Sequence, residues 1–115
     1  MNITAESYGH TVLLHLKGEL TEDTVVAFRQ AVDHNLQPKE VIDLVLDLEQ
    51  VTFVDSASLE FLLDLQDRLA ERMGQVKFVK PNDEVRTILS ITRLEPSFET
   101  YRDINEAVKA LQAIG

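Results

Sequence analysis

A β-rich apolar run that passes straight into a helix is the feature that most limits what this chain can fold into. Val51-Thr52-Phe53-Val54 reads as extended chain, meets Asp55-Ser56-Ala57-Ser58, and continues from Leu59 in residues that read only as a helix. A strand that feeds a helix directly implies an α/β arrangement. Asp55 and Ser56 fall at the helix N-terminus, where unpaired backbone N–H groups point outward and the helix dipole favours negative charge. A short polar side chain at that place can cap the helix, bind a partner or accept a phosphoryl group.

The flanking sequence supplies further elements. Thr11 to Lys17 alternates, with Val12, Leu14 and Leu16 on one face and Leu13, His15 and Lys17 on the other. This is strand periodicity, and Ile3 to Ser7 joins it through Gly9 as a hairpin. Gly18-Glu19-Leu20 breaks the alternation, and Thr21 is the expected N-cap of a helix. Val25, Phe28, Val32 and Leu36 line that helix at helical spacing to about Asn35, and Pro38 cannot continue it. Val41 to Leu48 returns to period two, placing Ile42, Leu44, Leu46 and Leu48 opposite Val41, Asp43, Val45 and Asp47. Two carboxylates on one face argue that helices cover mainly the other.

The long helix is expected to run to about Met73 and to stop at Gly74. Leu59, Leu62, Leu63, Leu65, Leu69, Ala70 and Met73 share its apolar arc, and Asp64 and Arg68 are spaced to pair. Phe61 falls on the edge of the polar face, where it either tucks against a neighbouring segment or marks a contact surface. Gln75 to Lys80 is a short strand, Pro81-Asn82-Asp83 a turn that caps a brief helix to about Leu89, and Ser97 to Tyr101 a last strand. Asp103 caps a final helix with Ile104, Ala107, Val108 and Leu111 inward. The expectation is a single α/β domain over 1–115. It has a mixed sheet of four to five strands, right-handed parallel crossovers in its middle, and about four helices packed mainly on one face.

Composition excludes several kinds of chemistry. The chain has no cysteine, so thiolate metal sites, disulfides and catalytic thiols are out. A net charge of −9 argues against nucleic acid and anionic membrane as partners. The opening residues lack a signal-peptide pattern and no run is long enough to span a bilayer, which makes a cytoplasmic domain the expectation. His10, His15 and His34 do not accompany a nucleophile elbow, because Val54-Asp55-Ser56-Ala57-Ser58 lacks the glycines of that turn. The scattered carboxylates, Asp43 and Asp47 included, have no metal-ligand spacing and read as solvated. Four dispersed glycines make no phosphate loop. These residues describe a binding or signalling module, with no enzyme activity, cofactor or metal expected.

The order of elements, with Gly18-Glu19-Leu20-Thr21 and Val51-Thr52-Phe53-Val54-Asp55-Ser56-Ala57-Ser58-Leu59, resembles the STAS domain family, and within it the bacterial anti-sigma factor antagonists. Pro81 after the fourth strand adds to the likeness. The resemblance implies that Ser56 is a phosphoacceptor and Asp55 its neighbouring motif acid. It implies a partner that is both serine kinase and anti-sigma factor, with a histidine-kinase-like ATPase fold, and a separate serine phosphatase. Unphosphorylated protein would bind that partner, and phosphorylation would release it. Ser58 stands where the family has glycine and is a second, less favoured hydroxyl; partner contact is expected around Asp55, Ser56, Ser58 and Phe61. Two other roles fit the same fold: a subunit docking on a transporter ATPase, or a scaffold component of a sensory assembly.

Overall fold

The computed structural model describes residues 1–38 and 40–114. Strands β1 (Asn2–Tyr8) and β2 (Thr11–Leu20) precede helix α1 (Val25–Asn35), followed by β3 (Asp43–Val54) and α2 (Ser56–Glu71). Then come β4 (Val76–Val79), α3 (Asp83–Ile91), a 3-10 turn at Glu95–Ser97, β5 (Thr100–Tyr101) and α4 (Ile104–Ile114). The five strands lie in sequence order; β1 and β2 are antiparallel and the remaining pairs parallel. This is the mixed sheet that the alternation of patterns implies.

Period-two burial sorts the sheet into two faces. Val12, Leu14, Leu16, Leu44, Leu46, Leu48, Val76 and Phe78 share one core with the apolar stripes of α1, α2 and α3. Leu13, Val45 and Val79 form a second, smaller core under Ala107 and Leu111 of α4. Three helices therefore cover one face and one helix covers part of the other. The carboxylates expected to be solvated on that second face are instead buried and partnered. Asp43 accepts from the Gln75 N–H at 2.8 Å and lies 3.2 Å from His10 Nε2. Asp47 accepts from His15 Nδ1 at 2.8 Å and from the Glu49 N–H at 3.0 Å. A burial cost met by such hydrogen bonds is tolerable, so α4 can dock between them.

Several boundaries differ from the periodicity. β2 does not end at Lys17 but continues to Leu20, and β3 runs unbroken to Val54, because the two strands stay paired through bulges at His15/Lys17 and Gly18/Glu19. Thr21 does not cap α1. Its carbonyl accepts the N–H groups of Thr24 (3.0 Å) and Val25 (2.7 Å), closing a turn that delays the helix to Val25. At the far end of α2, Met73 takes the left-handed conformation (φ 63°), and the Gly74 N–H returns to Leu69 O at 2.7 Å. Gly74 serves by lacking a side chain, since a Cβ there would collide with the Ile42 carbonyl. Met73 consequently leaves the apolar arc and is 90% exposed, and Ala70 is exposed as well.

Candidate functional site

The site grows from the end of β3. Asp55 has extended backbone (φ −88°, ψ 176°) and is the N-cap of α2, its Oδ1 accepting from the Ser58 N–H at 2.9 Å. Its other oxygen, Oδ2, accepts from the Glu22 N–H at 2.7 Å, and its own N–H donates to Leu20 O at 3.0 Å. One aspartate thus joins the β2–α1 turn to the start of α2. The two stretches that carry the family likeness, Gly18–Thr21 and Val51–Leu59, are adjacent because β2 and β3 pair there, Gly18 with Val51 and Leu20 with Val54, and these bonds extend the contact past the strand ends. Partial burial pushes the Asp55 carboxyl up, but the N–H groups of Ser58 and Glu22 outweigh it and hold the group below its ordinary value. The Ser58 hydroxyl favours the ionised form slightly, without reaching hydrogen-bond geometry.

Ser56 and Ser58 have opposite surroundings. Ser56 is the first helical residue and its side chain is exposed. Ser58, one half-turn on, is 0% exposed, and its hydroxyl has no partner among the described residues. The cap satisfies the Ser58 N–H, and the Leu59 N–H donates to Asp55 O at 3.0 Å. Among the described residues, the N–H groups of Ser56 and Ala57 have no such acceptor. They are free helix-terminal donors of the kind that stabilise negative charge.

Phe61 takes the first of its two alternatives. It is 7% exposed, meets Phe28 edge-on with ring centroids 5.3 Å apart, and lies under the Arg29 guanidinium at 5.1 Å. The edge of α2's polar face is where α1 packs, so Phe61 is enclosed between the two helices and its ring offers no contact to a partner in this conformation. The same neighbour captures Arg68, which pairs with Asp33 at 2.9 Å instead of with Asp64, and Arg72, which donates to Leu36 O at 3.0 Å.

Two features of the rim carried no pattern in the sequence. Asn82 caps α3 through the Val85 N–H (3.0 Å), as the turn implies, but its Nδ2 also reaches the carbonyls of Leu48, Glu49 and Val51 on β3. Phe53 faces outward beside α3 and is 46% exposed. A recess of about 290 Å3 is lined by residues of β1, β2 and β3, His15 and Asp47 among them, and those two side chains are already paired with each other. Among the described residues no cluster of three His, Asp or Glu side chains is placed to hold a metal, and no helix is long and apolar enough to cross a membrane.

A mixed five-stranded sheet whose third strand delivers an aspartate cap and an exposed serine to a helix N-terminus defines a compact domain with a chemically addressable rim. The chain belongs to the STAS domain family, whose profile matches residues 2–107. A relative from Thermotoga neapolitana, named as a putative anti-sigma factor antagonist, is 29% identical over 88% of this chain and 89% of its own length. The anti-sigma F factor antagonist of Paenibacillus polymyxa is 24% identical over 99% of both chains. The same fold is seen in the anti-sigma factor antagonist SpoIIAA in its unphosphorylated form, with TM-score 0.81, 22% identity and 99% coverage of both chains. The phosphorylated form of SpoIIAA from Bacillus matches with TM-score 0.70 and 21% identity over 95% of this chain and 98% of its own.

Proposed function

We propose that this protein is an anti-sigma factor antagonist that works by partner switching through Ser56. The observation that carries the reading is the contrast at the α2 N-terminus: Ser56 is exposed beside unpaired N–H groups, whereas Ser58 is enclosed. A kinase can approach Ser56 Oγ without unfolding the first helical turn, and it cannot reach Ser58 Oγ that way. Relatives named anti-sigma factor antagonists, and a structural neighbour known in both phosphorylation states, support the same assignment.

In this mechanism the unphosphorylated rim binds a cytoplasmic anti-sigma factor that is also a serine kinase. The kinase transfers the γ-phosphoryl group of ATP to Ser56 Oγ; ADP leaves and the hydroxyl proton passes to the kinase's base. The new group carries about −1.5 to −2 charges. It sits next to Asp55, whose carboxylate is kept ionised by two N–H donors. The helix terminus tolerates that charge within the domain, while an interface fitted to a neutral hydroxyl does not. The complex separates without unfolding, and a serine phosphatase resets the protein. Ser58, at the position of the family glycine, turns inward and adds no outward bulk to this surface.

Two measurements test the reading. Peptide mapping of protein from its native host is expected to find one phosphoryl group on Ser56 and none on Ser58. Titration of the co-purified kinase partner with wild type and Ser56→Asp is expected to show at least about tenfold weaker binding of the variant. Equal affinities would refute the charge switch. Co-purification with a membrane transporter, with no phosphate on Ser56, would point to the transporter-docking role instead.

A further inference from the structure

Among the described residues, Ser58 Oγ is the one buried side-chain oxygen or nitrogen without a hydrogen-bond partner. An unmet hydroxyl in the interior costs stability, so its presence there calls for a reason. The main-chain N–H of Ser58 donates to Asp55 Oδ1 at 2.9 Å, which brings the hydroxyl of the same residue close to that carboxylate. The other oxygen, Oδ2, accepts from the Glu22 N–H at 2.7 Å. A carboxylate has about four lone-pair sites, so two donors leave Asp55 able to accept more. Among the described residues no Lys, Arg or His side chain pairs with it. The Ser58 hydroxyl, whose hydrogen can rotate toward an acceptor, is therefore the next donor within the fold. It already favours the ionised carboxylate by proximity, yet stops short of a hydrogen bond.

We infer that Ser58 is a positioning residue of the switch, its enclosed hydroxyl a reserve donor that Asp55 takes up when Ser56 gains charge. The inference rests on the proposed function for what puts that charge on Ser56. While Ser56 is neutral, two N–H groups suffice for one carboxylate, and closing the gap to the hydroxyl would disturb both bonds to make a third. Phosphorylation adds about −1.5 to −2 charges to the residue next to Asp55. The Asp55 carboxylate then lies in a field of its own sign, and every donor facing it is stabilised more strongly than before. A small turn of the Asp55 side chain closes a charge-assisted Oγ–H to Oδ1 bond, so that the N–H and the O–H of one residue hold the cap together. The free N–H groups of Ser56 and Ala57 remain for the phosphoryl group, while Ser58 serves Asp55 from inside. Asp55 thus stays ionised and keeps its hold on Glu22 in both states, and the rim changes its charge without changing its shape.

The test is a double-mutant cycle on the full-length chain, crossing Ser56→Asp with Ser58→Ala and reading the folding equilibrium in urea. With Ser56 intact, Ser58→Ala is expected to raise the folding constant about fivefold, because an unmet hydroxyl is lost. In the Ser56→Asp background the same substitution is expected to lower it about threefold, because a made bond is lost. A second readout, the Asp55 carboxyl followed by 13C NMR through an acid titration, responds to the hydroxyl and not to packing alone. Removing the hydroxyl is expected to move the Asp55 midpoint upward in the Ser56→Asp background, and by less with Ser56 intact. An equal effect of Ser58→Ala in both backgrounds, or an Asp55 midpoint indifferent to the hydroxyl beside Ser56→Asp, would overturn the inference. The charge is built into the variant, so absence of phosphate on Ser56 in the native host removes the proposed function and leaves this cycle standing. Failure of the cycle leaves the peptide map unaffected, and the two readings fail separately.

Discussion

Replacing Asp55 with alanine removes two hydrogen bonds that belong to different parts of the chain. The lost N-cap bond to the Ser58 N–H costs about 1 kcal/mol. The lost bond to the Glu22 N–H has a charged acceptor but is partly solvated, which puts it near about 1.5 kcal/mol, the low end for such bonds. Together the loss is about 2–3 kcal/mol, or a melting temperature lowered by about 10 °C for a domain of this size. Asp55→Asn keeps one neutral acceptor and is expected to lose about half as much. The pH dependence has a definite sign. The Asp55 carboxyl is depressed in the folded protein, chiefly against the upward push of its partial burial, by the N–H donors of Ser58 and Glu22. Its contribution is therefore complete above the unfolded value of about 3.9 and disappears as pH falls through the lower folded value. Calorimetry should show a gap between wild type and Asp55→Ala that is constant from pH 7 to about pH 4 and narrows below. Hydrogen exchange should show lost protection at the Ser58 and Glu22 amides. A variant melting within about 2 °C of wild type, with both amides still protected, would refute the bridging role.

Three further substitutions probe the buried Ser58 hydroxyl and the backbone at Gly74 and Gly9. Ser58→Ala removes a buried hydroxyl that has no partner and is expected to raise stability by about 1 kcal/mol in urea unfolding; a loss would place a hydrogen-bond acceptor on that hydroxyl. Gly74→Ala forces the Ile42 carbonyl to move and is expected to cost at least about 2 kcal/mol. Gly9→Ala, at φ +61° in open space, should cost only about 1 kcal/mol by the same measurement, and equal costs would refute the collision.

The parts of the fold written in local patterns were legible. Alternation in Thr11–Lys17, the apolar spacing of Val25, Phe28 and Val32, and the strand-to-helix passage at Asp55 reappear as built, whereas the strand expected from Val41 begins at Asp43 and Val41 packs in the core of Leu44 and Leu46 rather than with Val45. Misplaced boundaries come from bonds that periodicity does not show, one across the sheet and one within a local turn. Leu20 stays in β2 because β3 bulges to meet it, and α1 starts late because Thr21 closes a turn first. Phe61 and Arg68 look out of place on an isolated α2 and find their places only against α1. At the rim, the sequence marks Asp55 as a cap but carries no sign that its second oxygen holds Glu22 or that Ser58 points inward. Helical periodicity says which residues share a face, not which neighbouring loop comes to meet it.

Asp55 bonds the β2–α1 turn to the start of α2, and Asn82 bonds the turn before α3 to β3, before any partner arrives. The entropy of ordering these loops is therefore settled during folding, and association involves little further ordering. On the proposed function this has a kinetic meaning. Encounter with the partner is not gated by loop rearrangement, and the residence time of the complex is set by contacts at one preformed surface. The tempo of regulation then follows the two enzymes that add and remove a phosphoryl group, with this domain responding at the rate of diffusion between them.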